Sequence, residues 1–173
     1  TSSTIGNNHR VDSSTLNAGN YSVYTSNSTG TNTYYILNNT MNNAYQYGAF
    51  LNNSHAIKFN NNIVNMRGIN TATYGLYIIN NNPTAPNFHE INGNKFTNIG
   101  YSGIYFATSS NSGSTMGQVY NNMISGFKYT SGNVGIYNAS SSRWNIWHNS
   151  INLDFASISG TNNCIYLNNG NNI

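Results

Sequence analysis

The chain holds three carboxylates, Asp12, Glu90 and Asp154, and four histidines, His9, His55, His89 and His148. Hydrolysis of a glycosidic bond by paired carboxylates needs the two groups about 5 to 10 Å apart. A metal needs several ligating side chains brought to one point. Along the repeat described below, Asp12 lies ahead of the first clear copy, and Glu90 and Asp154 fall at different phases of different copies. The histidines share neither phase nor ligand spacing. His148 falls at a turn, level with Asn38, Gly93 and Asn121, where a solvated side chain is expected. The expectation is no catalytic group, no metal site and no cofactor in this stretch. Glu90 should face outward, and a slip of one residue in the preceding copy would set Lys58 beside it as a surface pair. Cys164 is single, which excludes an internal disulfide, and reads as a part-buried small residue.

The other candidates are aromatic. Tyr24, Phe50, Tyr77, Tyr105, Tyr137 and Tyr166 sit in copies of one phrase, Gly-apolar-Tyr-apolar. It is clean at Gly75-Leu76-Tyr77-Ile78 and Gly103-Ile104-Tyr105-Phe106, and weaker at Gly135-Ile136-Tyr137-Asn138 and Cys164-Ile165-Tyr166-Leu167. Looser copies stand at Gly48-Ala49-Phe50-Leu51 and Ser22-Val23-Tyr24-Thr25, and the steps between copies are 26, 27, 28, 32 and 29 residues. A period near 28 with variable insertions marks a solenoid. Exposed aromatic rings pack against sugars through their faces and bond through their hydroxyls. The stronger reading of the same column is structural: like residues stack favourably between repeats, or loops cover them.

The elements that position these rings follow from a second phrase, apolar-x-x-Asn-x-apolar. It occurs at Ile36 to Met41, Ile91 to Phe96, Val119 to Ile124 and Ile146 to Ile151. Phe59-Asn-Asn61-Asn-Ile63 reads as the same phrase one residue short, and the chain closes on Asn-Asn-Ile173. Short strand signals broken by Asn and Gly turns fill each period, and no window carries a helical apolar stripe. The fold class implied is all-β: a single right-handed parallel β-helix of about six coils with an Asn-rich corner. Residues 1–20, with Ile5, Val11 and Leu16, read as a lead-in or partial rung, and 21–173 as the β-helix. Period-two alternation sends Leu76, Ile78, Ile104, Phe106, Ile136, Ile165 and Leu167 inward, together with Phe96, Ile124 and Ile151. It sends Gly75 and Tyr77 and their equivalents outward. Asn tolerates left-handed backbone angles, so Asn39, Asn61, Asn94, Asn122 and Asn149 are expected to stack as a hydrogen-bonded ladder.

Composition narrows the function classes. Only 5% of residues are charged, and solubility rests on 38 asparagines and 37 serines or threonines. The net charge of +3 comes from scattered bases, without the clustered stripe that nucleic acid requires. No apolar run is long enough to span a membrane, and no signal peptide is visible.

These phrases, with the run Ile146-Trp-His-Asn-Ser-Ile-Asn-Leu153, resemble right-handed parallel β-helices of the pectin-lyase-like class. They are especially similar to the Asn-rich repeat regions of secreted surface proteins of Bacteroidetes-type bacteria. The resemblance covers residues 20–173. It implies an extracellular or cell-surface location and a structural or adhesive role, to which the chemistry of the Tyr column adds a glycan contact. Lyases of the class use a carboxylate cluster holding calcium together with a base. Three dispersed acids leave room only for the alternative of a carbohydrate-active enzyme fragment whose catalytic residues lie outside this segment. The apolar Ile173 implies further rungs, or copies of the chain stacked end to end, as partners.

Overall fold

The computed structural model describes residues 8–26, 32–69, 71–154 and 159–168, so Ile5 and the closing step at Ile173 lie outside the described residues. The turn signals cut the chain into six coils of three short strands. Coil one holds β1 (Asn8–Asp12), β2 (Thr15–Asn17) and β3 (Tyr21–Ser26), and coil two β4 (Thr33–Leu37), β5 (Thr40–Asn42) and β6 (Tyr47–Asn52). Coil three holds β7 (Ala56–Asn60), β8 (Ile63–Asn65) and β9 (Tyr74–Ile79), and coil four β10 (Glu90–Asn92), β11 (Lys95–Thr97) and β12 (Ser102–Ala107). Coil five holds β13 (Gly117–Tyr120), β14 (Met123–Ile124) and β15 (Asn133–Ala139), and coil six β16 (Trp144–Trp147), β17 (Ser150–Ile151) and β18 (Asn162–Asn168). Each strand pairs in parallel with its equivalent in the next coil, giving three six-stranded sheets and a parallel β-helix. Residues 8–20, part of the stretch 1–20 read from sequence as a lead-in or partial rung, supply β1 and β2 of the first coil.

Apolar columns from the three sheets meet inside. Ile36, Phe59, Ile91 and Val119 come from the first sheet, Met41, Val64, Phe96 and Ile124 from the second, and Leu76, Ile78, Ile104, Phe106 and Ile136 from the third; all are buried. Burying each such side chain contributes about 1.5–3 kcal/mol. One column position is polar: Asn138 pairs with Phe106 in register yet is fully buried. Its amide closes on Ser141, accepting from the Ser141 N–H at 2.9 Å and donating to the Ser141 carbonyl at 3.0 Å. Three expected core residues depart from this pattern. Ile151 is half-buried, and Ile165 and Leu167 are each 43% exposed, because their coil has a described neighbour on one side only.

The corner between the first and second sheets divides its work between two adjacent residues. Ser13, Asn38, Asn61, Gly93, Asn121 and His148 all take positive φ, between 51° and 65°, where Asn and Gly cost least. The residue after each forms the ladder, and here the reading of Asn61 is corrected. Asn62, with 1% exposure, is the ladder residue, and Asn61 makes the turn. The phrase is not one residue short: Phe59 pairs with Ile36 and Val64 with Met41. Asn39, Asn62, Asn94, Asn122 and Asn149 then link in sequence, each amide nitrogen donating to the next Oδ1 at 2.9–3.1 Å. Each Oδ1 also accepts the preceding ladder residue's backbone N–H. Each amide nitrogen donates a second bond back to the coil below, as from Asn94 to the Phe59 carbonyl at 2.7 Å. These buried groups are fully satisfied, as burial demands.

A second correction concerns the glycines of the first phrase. A methyl group at Gly75 would stand 2.5 Å from Phe96 Cδ1 and 2.6 Å from the Gly103 carbonyl oxygen, so this position faces the core beside Leu76. Gly48, Gly103 and Gly135 meet the same obstruction from Val64, Ile124 and Ile151. Two successive inward positions break the alternation. The parity before the glycine flips, and Tyr74 joins Tyr77 on the outer surface.

Candidate functional site

The flip creates two aromatic columns on the outer face of the third sheet. The expected column is in register throughout: Tyr24, Phe50, Tyr77, Tyr105, Tyr137 and Tyr166 pair coil by coil. Beside it runs a second set that the phrase did not reveal, Tyr21, Tyr47 and Tyr74, continued by Tyr101 and Tyr129. The signal was present: a tyrosine immediately precedes Ser22, Gly48 and Gly75.

Ring geometry changes along the axis. In the early coils the rings lie face to face. Tyr24–Phe50, Phe50–Tyr77 and Tyr77–Tyr105 stack at 5.6, 5.2 and 4.6 Å within 12° of parallel. Tyr21–Tyr47 and Tyr47–Tyr74 do so at 5.2 Å. In the later coils the stacking ends: Tyr105–Tyr137 meet at 77°, Tyr74–Tyr101 at 77° and Tyr101–Tyr129 at 87°. Each contact of either kind adds about 0.5–1.5 kcal/mol beyond area. Burial pushes the Tyr77 hydroxyl up to about 12, with the neighbouring tyrosines adding to it, and raises Tyr47, Tyr74, Tyr101 and Tyr105 as well. These phenols are neutral across the physiological range.

A hollow of about 400 Å³ opens where the stacking ends, with Tyr74, Tyr101, Tyr105, Tyr129 and Tyr137 around it and Ala72 and Ser131 at its rim. A second, of about 290 Å³, shares Tyr101 and Ser131 and reaches Thr161, Asn163 and Tyr166. Ala72, Tyr101, Tyr129 and Ser131 come from the connections between the second and third sheets, which run to eight residues in coils three (66–73) and five (125–132) against four in coil four (98–101).

The three carboxylates are held apart in structural contacts. Asp12 is bound by Arg10, Asn38 and Ser13, hydrogen bonds that hold it down at about 2. Glu90 does pair with Lys58, which lies next to it in register with no slip required. Burial raises the Glu90 carboxyl, but hydrogen bonds from Tyr120 at 2.8 Å and Asn60 at 3.2 Å, with the Lys58 charge, lower it overall. Lys58 also sits 3.3 Å from the Phe88 ring centroid. Asp154 accepts the Gly126 and Phe127 backbone N–H groups and braces that loop. Among the described residues, no group of three or more His, Cys, Asp or Glu side chains is placed to hold a metal. Cys164 is exposed rather than part-buried, being in the last described strand.

The histidines differ from one another. His148 is an exposed turn residue, whereas His89 is fully buried, stacked on Trp144 at 5.2 Å and bonded through Nε2 to the Asn81 carbonyl at 3.0 Å. Burial lowers its ring to about 4. His55 Nε2 accepts from the Thr84 N–H at 2.9 Å. Comparison of the chain with protein-family models, with curated proteins and with solved structures returns no match.

Proposed function

We propose that this chain is a structural and adhesive solenoid of an exported surface protein or filament, contacting glycans through the aromatic face of its third sheet. The observation that carries this reading is the double tyrosine column. Uninterrupted ring contacts run from Tyr21 to Tyr166 and open into a tyrosine-walled groove. A rigid scaffold presenting aromatic rings and hydroxyls on one face suits a sugar surface, where rings meet apolar sugar faces and hydroxyls meet hydroxyls. The carboxylates bind backbone, amides and bases within the fold, which favours a scaffold over a hydrolytic centre in this segment. Further rungs, from a longer chain or another copy, are the partners this reading implies along the axis, where Ile165 and Leu167 expose apolar surface.

The test is co-sedimentation of the purified chain with insoluble polysaccharides and with bacterial cells, beside a variant carrying Tyr77→Ser, Tyr105→Ser and Tyr137→Ser. Retention of the parent and loss of the variant, with its β-sheet circular dichroism intact, is the expected result. Equal retention of both would leave the tyrosines as stacking alone.

A further inference from the structure

We infer that the ligand of this face is an uncharged, extended polysaccharide lying along the solenoid axis, held only where the ring stacking ends, at Tyr101, Tyr105, Tyr129 and Tyr137. The inference rests on the glycan-contact reading above and narrows it to one part of the face and one ligand class.

Ring orientation fixes the place. Phe50 and Tyr77, each stacked within 12° of parallel on both sides, spend both faces on their neighbours and offer only edges to a ligand. A sugar's C–H groups are drawn to the negative face of a ring, not to its positive edge. Beyond Tyr105, interplanar angles of 67° to 87° turn faces out of the column. Both hollows lie there, with Tyr101 and Ser131 common to the two. A separate hollow reaches Tyr24, but its other walls include His9, Arg10, Tyr34 and Tyr35 of the first sheet.

The hollows' extent fixes the shape. Their lining passes from Tyr74 in coil three to Tyr166 in coil six. At about 4.8 Å per coil this is roughly 14 Å, a length that takes a run of linked sugar rings rather than a single one. Their long direction follows the stacked coils, so the polymer runs with the axis.

The lining fixes the charge. Every described side chain around both hollows is uncharged: tyrosines, Ser131, Thr161, Asn163, Ala72 and Val134. A uronate or sulfate held there would give up water without an Arg or Lys to replace it, which is costly. Burial keeps Tyr74, Tyr101 and Tyr105 protonated, so they donate hydrogen bonds to neutral sugar hydroxyls.

Affinity electrophoresis in gels carrying hydroxyethylcellulose, galactomannan or polygalacturonate tests this. The parent chain should be retarded by at least one neutral polymer and not by polygalacturonate. Tyr101→Ala should weaken that retardation about tenfold or more, as loss of a central aromatic anchor does, whereas Tyr24→Ala should leave it unchanged. Ser131→Trp, at an exposed position, should block the groove without removing any ring, which keeps the test open should Tyr101→Ala fold poorly. Retardation by polygalacturonate alone, or equal losses from Tyr24→Ala and Tyr101→Ala, overturns the inference but leaves glycan contact standing. No retardation by any polymer overturns both.

Discussion

The side-chain amide of Asn94 donates to Oδ1 of Asn122 at 2.9 Å, one step of a buried amide chain that ties five coils together. The Asn94 oxygen simultaneously accepts the Asn62 backbone N–H at 2.8 Å. Truncating Asn94 therefore strips partners from the coil on either side. Each buried group left unpaired costs about 1–3 kcal/mol, so Asn94→Ala should lower unfolding stability by more than about 2 kcal/mol. The adjacent pair in coil three separates ladder from turn. Asn62→Ala should be as damaging, while Asn61→Gly, at φ 57°, should be close to neutral. Urea denaturation of these variants measures the difference, and equal losses at 61 and 62 would refute the ladder assignment.

The glycine column gives a second expectation. Gly75→Ala places a methyl group against Phe96 and the Gly103 carbonyl, and overpacking of this kind costs about 1–3 kcal/mol. Shortening the obstructing ring relieves half of the conflict. Phe96→Leu combined with Gly75→Ala should therefore be less destabilising than the two single changes summed, a coupling that a double-mutant cycle reads directly.

Much of this architecture was legible in the sequence, and the exceptions have particular causes. The strands expected around Tyr24, Phe50, Tyr77, Tyr105, Tyr137 and Tyr166 all form and pair in parallel, because the apolar-Tyr-apolar alternation leaves one way to bury Leu76 and Ile78. Asn61 was misread for Asn62 because a run of three asparagines, 60 to 62, hides which one is the corner. The orientation of Gly75, and with it the Tyr21–Tyr47–Tyr74 column, was invisible to a rule of strict alternation. A residue without a side chain carries no inside or outside signal, and here it absorbs the parity change. The groove depends on loop lengths and ring angles in coils three to six, which no period encodes. Ile165 illustrates the last cause: its phase is that of Ile104, but its burial depends on neighbouring coils.

Acid should weaken the fold through His89. Its neutral ring is favoured by burial, with a folded value of about 4 against an ordinary 6.5. The stabilisation is therefore present above pH 6.5 and lost as pH falls from there through about 4, amounting to something on the order of 3 kcal/mol when complete. His55 is lowered by burial too and contributes in the same direction. Thermal denaturation of His89→Phe, which keeps a ring against Trp144, should show a shallower decline between pH 6.5 and 4 than the parent. An unchanged slope would mean that His89 is not the titrating group.

Alkali should weaken the fold through the tyrosines of the third sheet. Tyr77 has a folded value of about 12 against an ordinary 10, raised first by burial and then by Tyr105 and Tyr47, and Tyr74 is raised in the same direction. A group whose folded value is raised contributes stability that is full below its unfolded value and disappears as pH rises through the folded one. The loss should therefore begin near pH 10 and continue to about 12, as phenolates form more readily in the unfolded chain than in the stack. Tyr77→Phe keeps the ring between Phe50 and Tyr105 but has no proton to lose, so its stability should fall less steeply over that range. Phenolate absorbance gives the second reading. In the parent it should lag behind that of the urea-unfolded chain, and the lag should shrink in Tyr77→Phe. Parallel titration of folded and unfolded chains would show that the tyrosines of this face are solvated and not stacked.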